Sequence, residues 1–124
     1  MIDQLTWLAI NLYHEARGEP EEGQLAVCHV VLNRVAKRGL SIKDVVLQPM
    51  QFSWANSGAR PPIKDYGALE NCLLIAQQAI NERLLGEVFY KADHYYNPNK
   101  ADPRWARSMR PVKTIGNHIF LREE

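Results

Sequence analysis

The sequence is poor in cysteine, has no excess of charge of one sign and lacks long hydrophobic runs. Its 124 residues include two cysteines, Cys28 and Cys72, each within an apolar helical stripe that is typical of a buried reduced thiol rather than a disulfide framework. The 15 basic and 14 acidic residues nearly cancel, so no strong field draws the chain to nucleic acid or an anionic membrane. Length and composition predict one globular domain over residues 1–124.

Targeting signals are also missing from the sequence. The N-terminus has no basic region followed by an uninterrupted apolar segment, and no stretch approaches the length needed to span a bilayer. We therefore expect no signal peptide and no membrane insertion, and the reduced cysteines indicate folding in a reducing compartment.

Three common kinds of reactive site lack their sequence patterns. A zinc-protease helix places two histidines four residues apart, whereas His14 is followed by Glu15 and position 18 is glycine. Ser53 does not lie in a glycine-flanked elbow, and Cys28 lies within a helix where a thiol is usually inert. No glycine-rich phosphate loop occurs. We expect no metal, no cofactor and no nucleotide.

Apolar residues recur at helical spacing in three long segments. They predict helices over residues 3–16, 21–38 and 68–85, with Asp3 as the first cap and glycines 39 and 86 as terminators of the other two. Ser41 is expected to cap a further short helix.

The remaining segments predict a long ordered loop and short strands. The loop covers residues 48–67, and residues 88–90 and 94–98 look extended. Residues 112–115 and 118–121 form a hairpin candidate, because Gly116 and Asn117 between them tolerate a tight turn. The expected fold class is α+β and mostly helical.

Glu15 is the best candidate for a catalytic acid. It falls in the last turn of the first predicted helix, where free carbonyl groups disfavour a negative charge. If the carboxyl group is also shielded from water, its pKa should rise, as a general acid requires.

Aromatic residues are concentrated outside the long helices. Eight of the eleven lie between Phe52 and Trp105, interleaved with hydroxyl and amide side chains, which suits the stacking and hydrogen bonding of sugar rings. The alternative is that these aromatics cover a small core.

Five blocks in order resemble the SleB-like cell wall hydrolases. They are LYHEARGE at 12–19, GQLAV with VVLNRV at 23–35, QPMQFSW at 48–54, HYYNP at 94–98 and IGNHIF at 115–120. Two departures affect the sugar-binding cleft: Met50 stands where the family has glycine, and residues 87–93 replace a segment containing Asp-Pro-Thr.

The resemblance implies a compact relative of lysozyme and the lytic transglycosylases, with a small β element and a cleft. It implies cleavage of peptidoglycan between N-acetylmuramic acid and N-acetylglucosamine, with Glu15 as the catalytic acid. Around Glu15 it suggests supporting roles for Arg17 and Glu19, and substrate binding by Gln51, Ser53, Tyr95, Tyr96, Asn97 and His118.

The reaction type stays open at this point. A two-carboxyl muramidase needs a partner for Glu15, for which Glu19 and Asp93 are candidates, whereas a lytic transglycosylase needs a single acid. The resemblance favours the transglycosylase. Glu19 follows a helix-breaking glycine, so it is equally expected to hold the loop by pairing with Arg17 or to cap the next helix. A non-catalytic glycan-binding or virion structural module and an amidase or peptidase are the rivals.

The expected partners are peptidoglycan strands, without nucleic acid, and the chain is expected to be a monomer. With no export signal visible, it is expected to be made in the cytoplasm and to act on the cell wall. A phage protein that is released by a holin or carried in a particle fits this expectation.

Overall fold

The helical part of the protein follows the predicted pattern. The structure is a computed structural model that describes residues 2–48, 54, 61–86 and 91–123. Helix α1 spans Gln4–Ala16, and the Asp3 side chain caps it by accepting a hydrogen bond from the Thr6 amide at 2.8 Å. Helix α2 spans Glu21–Arg38 and ends at Gly39, whose φ of 66° is left-handed. These bounds confirm the first two predicted helices.

The later helices also form, with one shifted boundary. Helix α3 spans Ile42–Leu47 and is capped by Ser41, as predicted. Helix α4 spans Tyr66–Leu84 and begins two residues before the predicted start, because the Asp65 side chain accepts a hydrogen bond from the Ala68 amide at 2.9 Å. Most of the predicted loop at 48–67 and the predicted extended segment at 88–90 lie outside the described residues.

A small antiparallel sheet completes the fold. Strands β2 (Arg110–Ile115) and β3 (His118–Arg122) form the predicted hairpin, and β1 (His94–Tyr96) pairs with the other edge of β3. The strand order is therefore β1-β3-β2, with Tyr95 opposite Phe120. A 3-10 helix over Arg104–Ser108, which the sequence pattern did not predict, precedes β2.

Helix α2 lies at the centre of the core. Its residues Val27, Cys28, Val30 and Val31 are fully buried, and α1 and α4 pack against it and against each other. The two cysteines are free and buried, as predicted. The fold is mostly helical with a small sheet, which confirms the predicted class. Among the described residues, no helix combines the length and apolar character of a membrane span.

Candidate active site

Glu15 lies in a cleft between the end of α1 and the sheet. The cleft has a volume of about 410 Å³ and is lined by residues 14–19, by Asn97 and Lys100 after β1, and by Asn117 and His118 of the hairpin. Three distant segments of the chain therefore meet at one half-buried carboxyl group. This is the cleft that the sequence analysis expected around Glu15.

The end of α1 is held in place by a residue of α2. The amide of Glu19 donates to the Ala16 carbonyl at 2.9 Å, and the buried Gln24 donates its Nε2 to the carbonyl groups of Ala16 and Arg17 at 3.2 and 3.0 Å. Gln24 thus satisfies carbonyl groups that a helix end leaves without an intrahelical partner. The last turn, which carries Glu15, is fixed against the core.

The pKa of Glu15 is raised above its ordinary value. Burial is the main cause, because a shielded carboxylate loses its hydration. A hydrogen bond from the Tyr95 hydroxyl to Oε1 and the positive charge of Arg34 act in the opposite direction. The direction matches the one predicted, but the largest cause is burial under the sheet rather than the helix end itself.

Tyr95 is fixed in the orientation in which it meets Glu15. Its ring packs against those of His118 and Phe120, with centroids 5.1 and 5.6 Å away, and these two rings also contact each other. Burial, together with the neighbouring Glu15, raises the pKa of the Tyr95 phenol well above its usual range. Tyr95 therefore keeps its proton and serves as a donor to Glu15.

Arg34 is a further functional candidate, which the sequence indicated only as part of the matched block VVLNRV. It lies buried on α2, and its Nε donates to the Asp93 carbonyl at 2.6 Å. Its charge lowers the pKa values of both Glu15 and Tyr95. The available signal was an arginine in the central, mostly buried helix, where a charge needs a polar partner.

An aromatic side chain packs on His14, one of the residues that line the cleft. The ring of Trp54 stacks on that of His14, with centroids 4.8 Å apart and planes 26° apart, and its Nε1 donates to Asn11 Oδ1 at 2.9 Å. Burial is the larger of two causes that lower the pKa of His14, the other being the charge of Arg17. The predicted loop therefore places one aromatic ring against His14, but this ring is buried in the core and is not among the described residues that line the cleft.

The side chain of Glu19 binds the β2-β3 hairpin. Its carboxylate accepts hydrogen bonds from the backbone N and the Nδ2 of Asn117, each at 3.0 Å, and its Oε1 lies 3.1 Å from Nδ1 of His118. Arg17 instead donates to the Tyr13 carbonyl at 3.0 Å and lies over the Tyr13 ring. The predicted pairing of Glu19 with Arg17 is therefore wrong. The predicted capping of α2 by Glu19 is wrong too, because Pro20 occupies the N-cap position and makes no side-chain cap hydrogen bond.

Asp93, the other candidate carboxyl group, is engaged away from the cleft. It binds Lys37 Nζ at 3.1 Å, His94 Nδ1 at 2.9 Å and the backbone N of Glu123 at 2.9 Å. Burial acts to raise its pKa, but these hydrogen bonds outweigh burial and hold the pKa below its ordinary value. Among the described residues, Asp93 is not part of the cleft lining.

A possible cation site adjoins Asp93. Ligand atoms of Asp93, His94 and Glu123 lie within 4.8 Å of one another. The ammonium group of Lys37 already binds two of the three, at 3.1 Å from Asp93 and 2.7 Å from Glu123. A metal ion there would have to displace that ammonium group or share the carboxylates with it, so the cluster is better described as an ion-pair network.

The predicted substrate-binding residues divide into three groups. Asn97 and His118 line the cleft, and Tyr95 contacts Glu15 directly. Tyr96 points to the other face of the sheet, where its ring meets that of Trp105 at 5.9 Å. Gln51 and Ser53 lie outside the described residues, so their predicted roles stay predictions.

Known proteins share both the sequence and the fold of this chain. Residues 18–121 match the profile of the family described as Cell Wall Hydrolase. The spore cortex-lytic enzyme of Bacillus subtilis (strain 168) is 36% identical over 115 residues, which are 91% of this chain and 35% of that protein. The enzyme of the same name from Halalkalibacterium halodurans is 33% identical over 116 residues, 91% of this chain and 33% of that protein. The chain thus spans about a third of the length of these relatives.

Two solved structures extend the likeness to three dimensions. The catalytic domain of the germination-specific lytic transglycosylase SleB from Bacillus anthracis has a TM-score of 0.75 and 29% identity, covering 96% of this chain and 93% of that one. The catalytic domain of the Bacillus cereus SleB protein gives 0.75 and 30%, covering 96% and 89%. These likenesses agree with the cleft and its half-buried glutamate: the chain belongs to the cell wall hydrolase family, and its fold is that of the SleB catalytic domains.

Proposed function

We propose that this protein cleaves peptidoglycan strands between N-acetylmuramic acid and N-acetylglucosamine as a lytic transglycosylase, with Glu15 as the general acid and base. The observation that carries the proposal is the environment of Glu15: a half-buried carboxyl group in a cleft, with a raised pKa and a tyrosine donor on Oε1. A carboxyl group in this state holds a proton that it can pass to a glycosidic oxygen.

The proposed reaction has two proton transfers, and we assign both to Glu15. Glu15 first donates its proton to the glycosidic oxygen, so that the bond from C1 of the muramic acid to that oxygen breaks and the N-acetylglucosamine leaves. The C6 hydroxyl of the muramic acid then bonds to C1 and returns its proton to Glu15. No water is consumed, and the product has a 1,6-anhydro end. The Tyr95 hydrogen bond stabilises the carboxylate between the two transfers.

The single-acid route is favoured over a two-carboxyl route by the state of the other acids. Glu19 is held by Asn117 and faces His118, and Asp93 is bound by Lys37, His94 and a backbone amide. A carboxylate that already accepts several hydrogen bonds is a poor base for water and a poor nucleophile. Glu15 therefore works without a second free carboxylate from either candidate.

The cleft also supports the expected substrate contacts. Asn97 and His118 lie at its walls, where an amide and an imidazole suit the hydroxyl and acetamido groups of a glycan.

The test is to digest purified sacculi and identify the soluble fragments by mass spectrometry. Anhydro ends are expected, and reducing ends, heavier by one water, would indicate a hydrolytic muramidase instead. Glu15→Gln keeps the shape of the side chain and removes the acid, so we expect activity to fall by about 10²–10⁴-fold. Undiminished lysis by this variant would contradict the assignment of Glu15.

A matched control is Glu70→Gln, which changes an exposed glutamate on α4. It should digest sacculi at the wild-type rate. If neither the wild type nor any variant releases fragments, the protein is a binding module rather than an enzyme. Release of new amino groups without new glycan ends would instead indicate cleavage of the stem peptide.

A further inference from the structure

Lys100 projects a positive charge into the cleft that the proposed chemistry does not use. It lies in the turn after β1, where its backbone amide donates to the Asn97 carbonyl at 3.0 Å, and it lines the cleft with Asn97 and His118. Its charge is close enough to lower the pKa of His118, although burial is the larger cause of that shift. Among the described residues, no carboxylate forms an ion pair with Lys100.

The charges around the cleft do not balance when Glu15 carries its proton. Arg17 and Lys100 are cations in the lining, and both are exposed. Burial lowers the pKa values of His14 and His118, which favours their neutral forms. The remaining anion is Glu19, whose oxygens already accept from Asn117. With Glu15 protonated, the lining of the cleft therefore carries a net positive charge.

We propose that Lys100, assisted by Arg17, binds a carboxylate attached to the muramic acid next to the scissile bond, so that the enzyme prefers strands with anionic muramic acid substituents. The inference rests on the proposed function, because it concerns the same cleft and the same sugar. A muramic acid differs from N-acetylglucosamine by the lactyl ether on its O3, which ends in a carboxylate or continues into a stem peptide with carboxylates of its own. Strands whose muramic acid substituent is neutral should be poorer substrates.

The geometry explains why lysine suits this position. An exposed ammonium group on a flexible stem can follow a carboxylate whose position varies with the attached peptide. An exposed ion pair contributes modestly, about 0.2–1 kcal/mol, so the expected effect is a preference rather than an absolute requirement. Converted to kcat/KM, this is about a 1.4- to fivefold change.

The experiment compares kcat/KM on two kinds of uncrosslinked strand, each before and after its carboxylates are converted to methylamides. One kind retains its stem peptides, and the other has been stripped to the lactyl group by an amidase. Wild type should prefer the charged form of at least one kind, and the preference should shrink at about 0.5 M salt because exposed charges are screened. A preference on the strands that retain stem peptides identifies the carboxylate as peptidyl, and a preference on the stripped strands identifies it as lactyl.

Three variants make the test specific to Lys100. Lys100→Gln should reduce the ratio of charged to neutral kcat/KM by about 1.4- to fivefold, and Lys100→Arg should preserve it. Lys43→Gln removes an exposed lysine on α3, outside the cleft lining, and should keep the wild-type ratio. Arg17→Gln combined with Lys100→Gln should bring the ratio closer to one than either change alone.

Two results would overturn the inference. If Lys100→Gln keeps the wild-type ratio while all strands are cleaved, Lys100 does not select the substrate and the proposed function still stands. If Lys100→Arg behaves like Lys100→Gln, the effect comes from shape rather than charge. Failure of wild type to cleave any strand would contradict the proposed function, and this inference with it.

Discussion

At the residue scale, the chemistry of Glu15 depends on a balance between opposing influences on one carboxyl group. Burial raises its pKa, whereas the Tyr95 hydroxyl and the Arg34 charge lower it. Burial alone would hold the proton too firmly to release it at the transition state, and the two partners alone would favour a permanent carboxylate. An acid that must also accept a proton needs both effects.

Tyr95→Phe tests this balance. The change removes the hydrogen bond that lowers the Glu15 pKa, so the alkaline limb of kcat/KM against pH should move to higher pH. At neutral pH, kcat/KM should fall by about tenfold, because the carboxyl group also loses the donor that stabilises and orients it. Both effects are read from pH profiles of sacculus digestion.

Tyr66→Phe is the matched control, since Tyr66 is 75% exposed at the start of α4. Tyr66→Phe should leave unchanged both the alkaline limb of the pH profile and kcat/KM at neutral pH. A Tyr95→Phe profile that moves to lower pH, or does not move, would show that the hydroxyl does not act on the ionised carboxylate of Glu15.

At the element scale, the side chain of Glu19 connects the turn after α1 to the β2-β3 hairpin. Glu19 accepts two hydrogen bonds from Asn117 in the turn and faces His118 at the start of β3. The turn can approach this closely because Gly116 has no side chain and adopts a φ of +56°. The hairpin thereby brings His118 to the cleft wall.

Gly116→Ala should loosen this connection. An added Cβ would lie 2.9 Å from Glu19 Oε1 and 3.0 Å from Pro20 Cδ, and the positive φ is itself unfavourable for alanine. The control is Gly39→Ala, which has a similar φ of +66° but open space around the Cβ. Gly39→Ala should cost about 1–2 kcal/mol, and Gly116→Ala should cost clearly more.

Urea unfolding of the two variants measures the difference. Gly116→Ala should also lose more sacculus-digesting activity than Gly39→Ala, because Asn117 and His118 line the cleft. Equal free energies of unfolding would mean that the contact with Glu19 imposes no constraint on the turn.

At the scale of the whole molecule, Asp93 ties the sheet to the helical core. Asp93 directly precedes β1, and its carboxylate binds Lys37 on α2 and the backbone amide of Glu123 after β3. Its backbone carbonyl accepts a hydrogen bond from Arg34, which also lies on α2. The pKa of Asp93 is depressed in the folded protein, so its ionised form stabilises the fold. That contribution is present above its ordinary pKa of 3.8 and is lost as the pH falls through the lower folded value.

Asp93→Asn should therefore destabilise the protein in a pH-dependent way. At pH 7 we expect a loss of about 1–3 kcal/mol in the free energy of unfolding, because the amide cannot accept from Lys37, His94 and the Glu123 amide as the carboxylate does. The difference from wild type should shrink as the pH falls below about 3.8. Denaturant unfolding across this pH range measures both quantities.

Asp102→Asn is the control, since Asp102 is 83% exposed and pairs with Arg107 on the surface. Its effect should be small at every pH. A difference between Asp93→Asn and wild type that stays constant with pH would assign the loss to shape rather than to charge.

Local chemistry was sufficient to predict most of the elements. The caps at Asp3 and Ser41, the left-handed Gly39 and the turn at Gly116 are short-range effects, so they could be read from neighbouring residues. The position of Glu15 in the last turn of its helix and the family blocks both indicated this residue, and the blocks also indicated the three segments that meet around it. The 3-10 helix at Arg104–Ser108 has no comparable local pattern and was missed.

The sequence by itself determined the helices, the hairpin and the family, and it named Glu15 as the candidate acid, because these depend on periodicity, turn chemistry and matched motifs. Only the tertiary structure decided the state of each carboxyl group. Glu15 is shielded and bound by Tyr95, Glu19 is taken by Asn117 and Asp93 by Lys37. Each of these pairs joins residues 56 or more positions apart, and ionisation depends on distance and burial in space, which spacing along the chain does not encode.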